Sequence, residues 1–76
     1  MNKVILTTCR DIRDGAYVRT MNGDSIGDNA YVDFIHDSAM ALHADLNGGV
    51  PWRTLRAMLW RAADVGADRA YRDMRA

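Results

Sequence analysis

The side chains of this 76-residue chain best suited to metal binding or nucleophilic catalysis are two histidines and one cysteine. His36 and His43 stand seven residues apart, which on a helix places them on one flank but about 10 Å apart along the axis. A single metal ion cannot take both as direct ligands at that separation. Cys9 stands alone, which excludes an internal disulfide or a cysteine zinc cluster, and a lone cysteine is more often a small packed residue than a nucleophile. We therefore expect no enzyme, no metal site and no other cofactor.

The segment 22–28 (NGDSIGD) alternates oxygen-bearing side chains in the manner of a calcium-binding loop. It lacks the terminal glutamate and the full ligand spacing of such a loop, and no glycine-lysine ending makes it a phosphate-binding loop. The segment is interpreted as a turn that leads into a helix whose N-cap is Asp28.

Arginines without an evident partner mark the C-terminal third of the chain. Arg53 and Arg56 fall in the first turns of a predicted helix, where the helix dipole is already positive, and Arg61 extends the series. This arrangement predicts an internal anion (Asp45, across a helical hairpin), simple solvation, or an external anion such as a nucleic-acid phosphate or an acidic protein. Further along, two i,i+4 ion pairs are expected, Asp68 with Arg72 and Arg69 with Asp73.

Charge is sorted along the chain although the formal net charge is zero. Between Arg19 and Arg53 there is no lysine or arginine, but there are five acids: Asp24, Asp28, Asp33, Asp37 and Asp45. Sorted charge steers partners and fixes their orientation more than it supplies affinity. The pattern predicts an acidic contact surface in the middle of the chain.

Large apolar side chains add to this predicted contact surface, because aromatic residues, Met and Arg are enriched at interface cores. The apolar candidates are Phe34, Met40, Met58, Trp60 and Tyr71. The alternative is that a small two-layer fold simply buries Phe34 and Trp60 against a sheet. The predicted partner-binding residues are Asp33, Asp37, Met40, Asp45, Arg53, Arg56, Trp60, Arg61 and Tyr71.

An alternating pattern in the first 27 residues predicts strands, with Val4, Leu6 and Thr8 on one side of the run. The dipeptides Asp14-Gly15 and Asn22-Gly23 favour type I′ turns between such runs. We expect an antiparallel β-hairpin or a three-stranded meander over about residues 2–27. A strict two-residue loop at Asp14-Gly15 would place Arg10 opposite Arg19, so either a longer loop or bulge, or an anion between the arginines, is expected.

From residue 28 the apolar spacing changes to three or four, which predicts helices over about 28–47 and 51–75. Asn47-Gly48-Gly49 ends the first of these, and Pro51 begins the second. The small residues Ala63, Gly66 and Ala70 allow another element to come close, and the helix 28–47 is the expected neighbour. The apolar face of the helix 28–47 comprises Tyr31, Ile35, Ser38, Ala39, Leu42 and Leu46. The apolar face of the helix 51–75 comprises Trp52, Leu55, Leu59, Ala62, Ala63, Gly66, Ala70 and Met74.

The predicted architecture is a single α+β domain over residues 1–76, with an antiparallel helical hairpin packed on one face of the N-terminal sheet. The buried sheet face is either the one that carries Val4, Leu6, Ile12 and Met21 or the opposite one. The composition, 49% apolar and 26% charged, is typical of a folded chain. At this length only about 60% of the extended surface can be buried, which leaves little stability for a strained active site. No apolar stretch has the length of a signal peptide or membrane span, so we expect a cytoplasmic protein without a membrane partner.

Together these features predict a small non-enzymatic module that binds another protein. Asp33, Asp37 and Asp45 could occlude a surface that normally binds nucleic acid, because carboxylates at about phosphate-like spacing satisfy the same cations. The chain has no Glu or Gln and one Lys but much Arg, Ala, Asp and Gly, a bias that suggests a GC-rich bacterial or bacteriophage genome. Small phage-encoded inhibitors of bacterial machinery, anti-CRISPR proteins among them, share these general properties, so a nucleic-acid-binding complex of a bacterial host is one candidate partner.

Two other functions stay open at this stage. A nucleic-acid-binding regulator would use Arg53, Arg56 and Arg61, although the zero net charge and the lack of an interleaved aromatic platform make direct nucleic-acid binding the weaker case. A self-associating assembly protein, or a homodimer, would use the flank that Trp60 and Tyr71 share, and its stability would rise with protein concentration.

Overall fold

The computed structural model describes residues 3–25 and 27–75, and all of its regular structure there is helical. It contains α1 (Lys3–Met21), α2 (Asn29–Asp45) and α3 (Trp52–Arg75). The described residues include no strand, so the predicted α+β class with a hairpin or meander over 2–27 is wrong and the fold is all-α. Residues 2 and 26 of the predicted meander lie outside the described part of the chain.

Burial in α1 follows helical spacing and not alternation. Ile5, Ile12, Ala16 and Thr20 are its buried residues, separated by seven, four and four positions, which places them on one stripe of a helix. Leu6, which alternation placed on the same sheet face as Ile12, is 48% exposed. The burial of one helical stripe therefore outweighs the strand preference of the β-branched run at residues 4–8.

Threonine side chains in this β-branched run support the helix locally. The hydroxyls of Thr7 and Thr8 each donate a hydrogen bond of 2.9 Å to the carbonyl oxygen four residues earlier, at Lys3 and Val4. This back-bond is available only where the chain already coils through one helical turn. The threonines that suggested a strand thus have their hydroxyls satisfied within a helix.

The two dipeptides expected to form hairpin turns have other roles. Asp14-Gly15 lies inside α1, so the predicted pairing of Arg10 with Arg19 across a hairpin does not exist. Gly23 ends α1 instead: it has φ of 93°, its N–H donates to the Thr20 carbonyl (3.0 Å), and the Asp24 N–H donates to the Arg19 carbonyl (2.9 Å). These are the two bonds of a Schellman motif, in which glycine takes the left-handed conformation at little cost.

The ends of α2 and α3 show how the two connections are fixed. Asp28 stands at the N-cap of α2, but its carboxylate accepts the Ser25 N–H (3.0 Å) and caps no N–H of the helix, contrary to the expected side-chain cap. Asn47, with φ of 51°, ends α2 in a second Schellman arrangement. The Pro51 carbonyl accepts the first helical hydrogen bond of α3, from the Leu55 N–H (3.1 Å).

The three helices run up, down and up. Arg13 of α1 lies against Gly66 of α3, and Tyr17, one turn later, bonds to Asp73 further along α3, so these two helices are parallel. Phe34, near the start of α2, lies against Gly15 in the second half of α1, so α2 is antiparallel to both. The chain extends 41 × 25 × 14 Å, and its long dimension matches the roughly 36 Å length expected of the 24-residue α3.

A close helix contact joins α1 and α3 at Gly66. A Cβ atom at that position would overlap the Arg13 carbonyl oxygen, with 2.9 Å left to the carbonyl carbon and 3.2 Å to the Ala16 Cβ. The small-residue face of α3 was expected to meet the helix 28–47. It receives α1 instead, because the segment assigned to strands is itself a helix.

The remaining core follows the predicted stripes of α2 and α3 closely. In α2, Tyr31 and Ile35 are buried together with Ala39 and Leu42, while Ser38 and Leu46 are half-buried. In α3, Leu55, Leu59, Ala63, Gly66 and Ala70 of the predicted stripe are buried, while Trp52 and Ala62 are half-buried. Met74 is the exception, because its side chain is 48% exposed beyond the end of the packed region.

A hydrogen bond between Tyr17 and Asp73 ties α1 to α3 near their C-terminal ends. The phenol donates to the carboxylate at 2.6 Å, and this bond is the main reason that the pKa of Tyr17 is raised above the ordinary value of 10.0. The neutral phenol is the form that donates, so its stabilising effect is complete below pH 10 and is lost as pH rises through the raised pKa.

Tyr17→Phe should therefore lower the free energy of unfolding at about pH 8 but have a smaller effect at about pH 11. Urea unfolding of both proteins across this range measures the difference. A wild-type advantage that stays constant or grows above pH 10 would show that the bond contributes nothing to the pH dependence.

Candidate protein-binding surface

The outward side of α2 carries a continuous line of exposed residues. Asp33, Asp37, Met40 and Ala44 follow one another at spacings of four, three and four, which keeps them on one helix face. Tyr31 and its buried stripe point to the opposite side, into the core. Met40 is 53% exposed. We call these four residues the α2 outer face.

The carboxylates of the α2 outer face are without a cationic partner in the described residues. The ion pairs there are Arg13 with Asp14 (3.2 Å) and Arg72 with Asp68 (2.9 Å), and neither involves α2. Asp33 and Asp37 lie about 6 Å apart along the helix axis, one turn from each other. The face therefore presents two unpaired negative charges beside an exposed apolar side chain.

Asp45 is exposed but stands apart from this face. It follows Asp37 by eight residues, which turns it about 80° further round the helix. The internal pairing expected between Asp45 and Arg53 or Arg56 is not among the ion pairs of the described residues. Of the three predicted acids, the structure thus groups Asp33 with Asp37 and separates Asp45.

Part of the predicted arginine series forms a second surface. Arg53, Arg56, Ala57 and Trp60 line a shallow concavity on α3, in which Trp60 is half-buried and also packs against the core. We call it the α3 concavity. Arg61 is exposed but turned about 100° away from Trp60, and it is not part of the lining.

Tyr71 lies three turns beyond Trp60 on α3 and is 46% exposed. The two residues share a flank, as their spacing predicted, but only Trp60 contributes to the concavity. Further along α3, the expected pair of Asp68 with Arg72 is present. The expected pair of Arg69 with Asp73 is not among the ion pairs in the described part of the chain, and Asp73 instead accepts the Tyr17 hydroxyl across the α1 contact.

Phe34 and Met58, the other apolar candidates, are used largely in packing. The Phe34 ring is half-buried between Gly15 and the Arg19 guanidinium, which lies 4.2 Å from the ring centroid in cation–π geometry. Met58 is half-buried against the core. The interpretation of Phe34 and Trp60 as packing residues is thus partly right, with helices in place of the predicted sheet.

The side chains best suited to metal binding or nucleophilic catalysis lie on two different helices, the histidines on α2 and the cysteine on α1. His36 and His43 both contact Trp52 edge-on, with ring centroids 5.4 and 5.9 Å away, a contact between α2 and α3 that the sequence spacing did not indicate. Cys9 lies in α1, where a strand was predicted, and burial raises the pKa of its thiol above the ordinary 9.0. The protonated thiol is the poorer nucleophile.

One further surface, which lies between α1 and α3, was not predicted from the sequence. A groove between α1 and α3 is lined by residues of both helices, and it could not be recognised while residues 2–27 were assigned to strands. Only the helical phase of α1 brings Leu6 and Arg10 alongside Ala62 and Val65 of α3.

Comparison of the chain with protein-family models, curated proteins and solved structures finds no match. Within residues 3–25 and 27–75, no helix combines the length and the apolar character needed to cross a membrane.

Proposed function

We propose that this chain is a small binding module whose α2 outer face docks on a positively charged surface of another protein. The observation that carries the proposal is that Asp33 and Asp37 are in no ion pair of the described residues and lie on an exposed helix face. Met40 supplies an apolar contact one turn away. Two carboxylates beside one exposed apolar residue are suited to a groove with arginine or lysine at its rim.

The mechanism is occlusion. Cationic surfaces that bind nucleic acid offer Arg and Lys donors to phosphate oxygens, and carboxylate oxygens accept the same donors. A helix rigidly supported from behind by the buried Tyr31 and Ile35 can hold its two carboxylates in place without a large loss of entropy on binding. A polyanion and the α2 outer face would therefore compete for the same partner surface.

Affinity capture from nuclease-treated bacterial lysate tests this proposal. The double variant Asp33→Asn/Asp37→Asn should retain at least about tenfold less of the partner than the wild-type chain does, since tenfold corresponds to about 1.4 kcal/mol, a modest loss for two charge-assisted contacts. The wild-type complex should also dissociate when a DNA duplex is added in excess.

The matched control is Asp11→Asn/Asp64→Asn, which makes the same change in net charge at two exposed positions on α1 and α3. It should capture the partner as well as the wild-type chain does. Equal loss with both double variants would mean that overall charge and not the α2 outer face governs binding. Undiminished capture with Asp33→Asn/Asp37→Asn would reject the proposal.

The α3 concavity supports nucleic-acid binding as a second candidate function. Trp60 lies beside Arg53 and Arg56, so the concavity combines an aromatic ring with two cations. The sequence had indicated no aromatic platform next to these arginines. Single-stranded nucleic acid is bound by stacking on aromatic rings next to cations that contact phosphate. Binding of a labelled oligonucleotide that falls steeply with salt and is lost in Arg53→Gln/Arg56→Gln would favour this function.

A further inference from the structure

The groove between α1 and α3 opens on a side of the bundle that α2 does not cover. It is open to solvent, has a volume of about 360 Å³, and is lined by no residue of α2. Leu6 and Val65, 48% and 53% exposed, form its apolar walls. Its full lining, which we call the α1/α3 groove, is Leu6, Cys9, Arg10, Arg13, Ala62 and Val65.

The charge of this groove is positive and only partly neutralised. Arg10 is in no ion pair of the described residues, and Arg13 pairs only with its sequence neighbour Asp14, through Nε. The lining itself includes no acidic residue. An occupant that supplies an apolar side chain and unpaired carboxylates would therefore match the groove in both respects.

The α2 outer face has this chemistry in the complementary arrangement. Asp37 and Met40 are a charged and an apolar residue one helical turn apart, and Leu6 and Arg10 in the groove are likewise one turn apart with the opposite charge. Met40 can contact Leu6 in the groove while Asp37 reaches Arg10. The two surfaces belong to the same chain but lie on different sides of the bundle, so they cannot meet within one molecule.

We propose that a second copy of this chain places its α2 outer face in the α1/α3 groove. The proposal rests on the proposed function in one respect, since it uses the same acidic face. The contact joins two different surfaces on different sides of the bundle, so it is heterologous, and its repetition builds a ring or an open chain of copies. A single helix in an open groove is a small interface, so the association should be weak and should weaken further with salt.

Sedimentation of the purified chain from about 10 µM to about 1 mM, at low and high salt, measures this association. Two variants each remove one side of the contact. Asp33→Asn/Asp37→Asn removes the acidic side, and Leu6→Gln/Arg10→Gln removes the groove side at two exposed residues. Each variant alone should associate at least about tenfold more weakly than the wild-type chain. An equimolar mixture should form a 1:1 dimer and nothing larger, because it holds one intact copy of each surface.

Circular dichroism and thermal unfolding show whether each variant is folded, and Val65→Ser is a second groove variant that leaves all charges in place. Wild-type chain that stays monomeric up to about 1 mM would overturn the inference, as would variants that associate as the wild type does. Two monomeric variants that fail to pair when mixed would also overturn it.

Failure of this inference and failure of the proposed function give different results. Leu6→Gln/Arg10→Gln keeps the α2 outer face, so it should capture the lysate partner as the wild-type chain does. Partner capture without self-association rejects only the second-copy proposal. If the chain self-associates through the two surfaces but Asp33→Asn/Asp37→Asn captures the lysate partner as the wild type does, only the proposed docking on a positively charged partner is rejected.

Discussion

Gly66→Ala should lower the free energy of unfolding by about 2 kcal/mol, and the melting temperature by about 10 °C. The added methyl group would overlap the backbone carbonyl of Arg13 and press on the Ala16 Cβ at 3.2 Å. Backbone cannot rotate away as a side chain can, so α1 must move away from α3 along their closest contact. The better helix propensity of alanine, about 1 kcal/mol, offsets only part of this cost.

The matched control is Gly15→Ala, also a glycine inside a helix. There the new methyl group would meet the Phe34 ring, with 2.8 Å to its Cζ atom, and a half-buried ring can shift. The gain in helix propensity should balance the displacement, which leaves the stability within about 1 kcal/mol of the wild type. Thermal and urea unfolding of both variants check the pair. Equal effects at the two positions would contradict the close contact of α1 with α3.

Ile12→Ala should cost about 3 kcal/mol, because Ile12 is 1% exposed and the cavity left behind can close only in part. Such a loss is a large part of the stability of a chain this small. The measurement is the urea midpoint at constant m-value, which separates a change in stability from a change in the unfolded state.

Met21→Ala provides the comparison that distinguishes a helix from a strand. The alternating pattern places Ile12 and Met21 on the same face of a sheet, so both truncations would then have similar costs. In α1, Met21 is the last residue and is 43% exposed, so its truncation should cost less than about 1 kcal/mol. Similar losses at the two positions would contradict the helical phase of α1.

The error over residues 2–27 has a physical explanation. Val4, Ile5, Thr7 and Thr8 are β-branched, and alternation across such a short run cannot be told from part of a helical stripe. The decisive signal was the longer spacing of Ile5, Ile12, Ala16 and Thr20, which spans the supposed turn at Asp14-Gly15. A glycine disfavours a helix, so Gly15 argued against one here. Its place inside α1 is explained by the ring of Phe34, which packs against it from a distant part of the sequence.

The sequence contains stronger signals for α2 and α3 than for α1. Long stripes such as Leu55, Leu59 and Ala63 repeat over several turns, and Pro51 and Asn47 mark helix boundaries that the structure also shows. The helix that packs against each stripe could not be predicted, because a small residue such as Gly66 allows any element to approach and does not select one. Only the position of α1 shows which one it is.

In the candidate site, too, the features set within one helix could be predicted, and those set by packing between helices could not. Helical spacing alone groups Asp33, Asp37 and Met40, and it also shows Arg61 turned away from Arg56. The α1/α3 groove and the contact of Trp52 with the two histidines depend on packing between helices, which spacing within one helix does not contain.

The most direct test of the proposed function is residue-resolved NMR of the Leu6→Gln/Arg10→Gln variant, titrated with the protein captured from lysate. This variant keeps the α2 outer face and lacks the groove side of the self-contact. We predict amide shifts concentrated at Asp33, Asp37, Met40 and Ala44. Shifts confined to Arg53, Arg56 and the indole N–H of Trp60, with α2 unchanged, would contradict the account and would identify the α3 concavity as the binding surface.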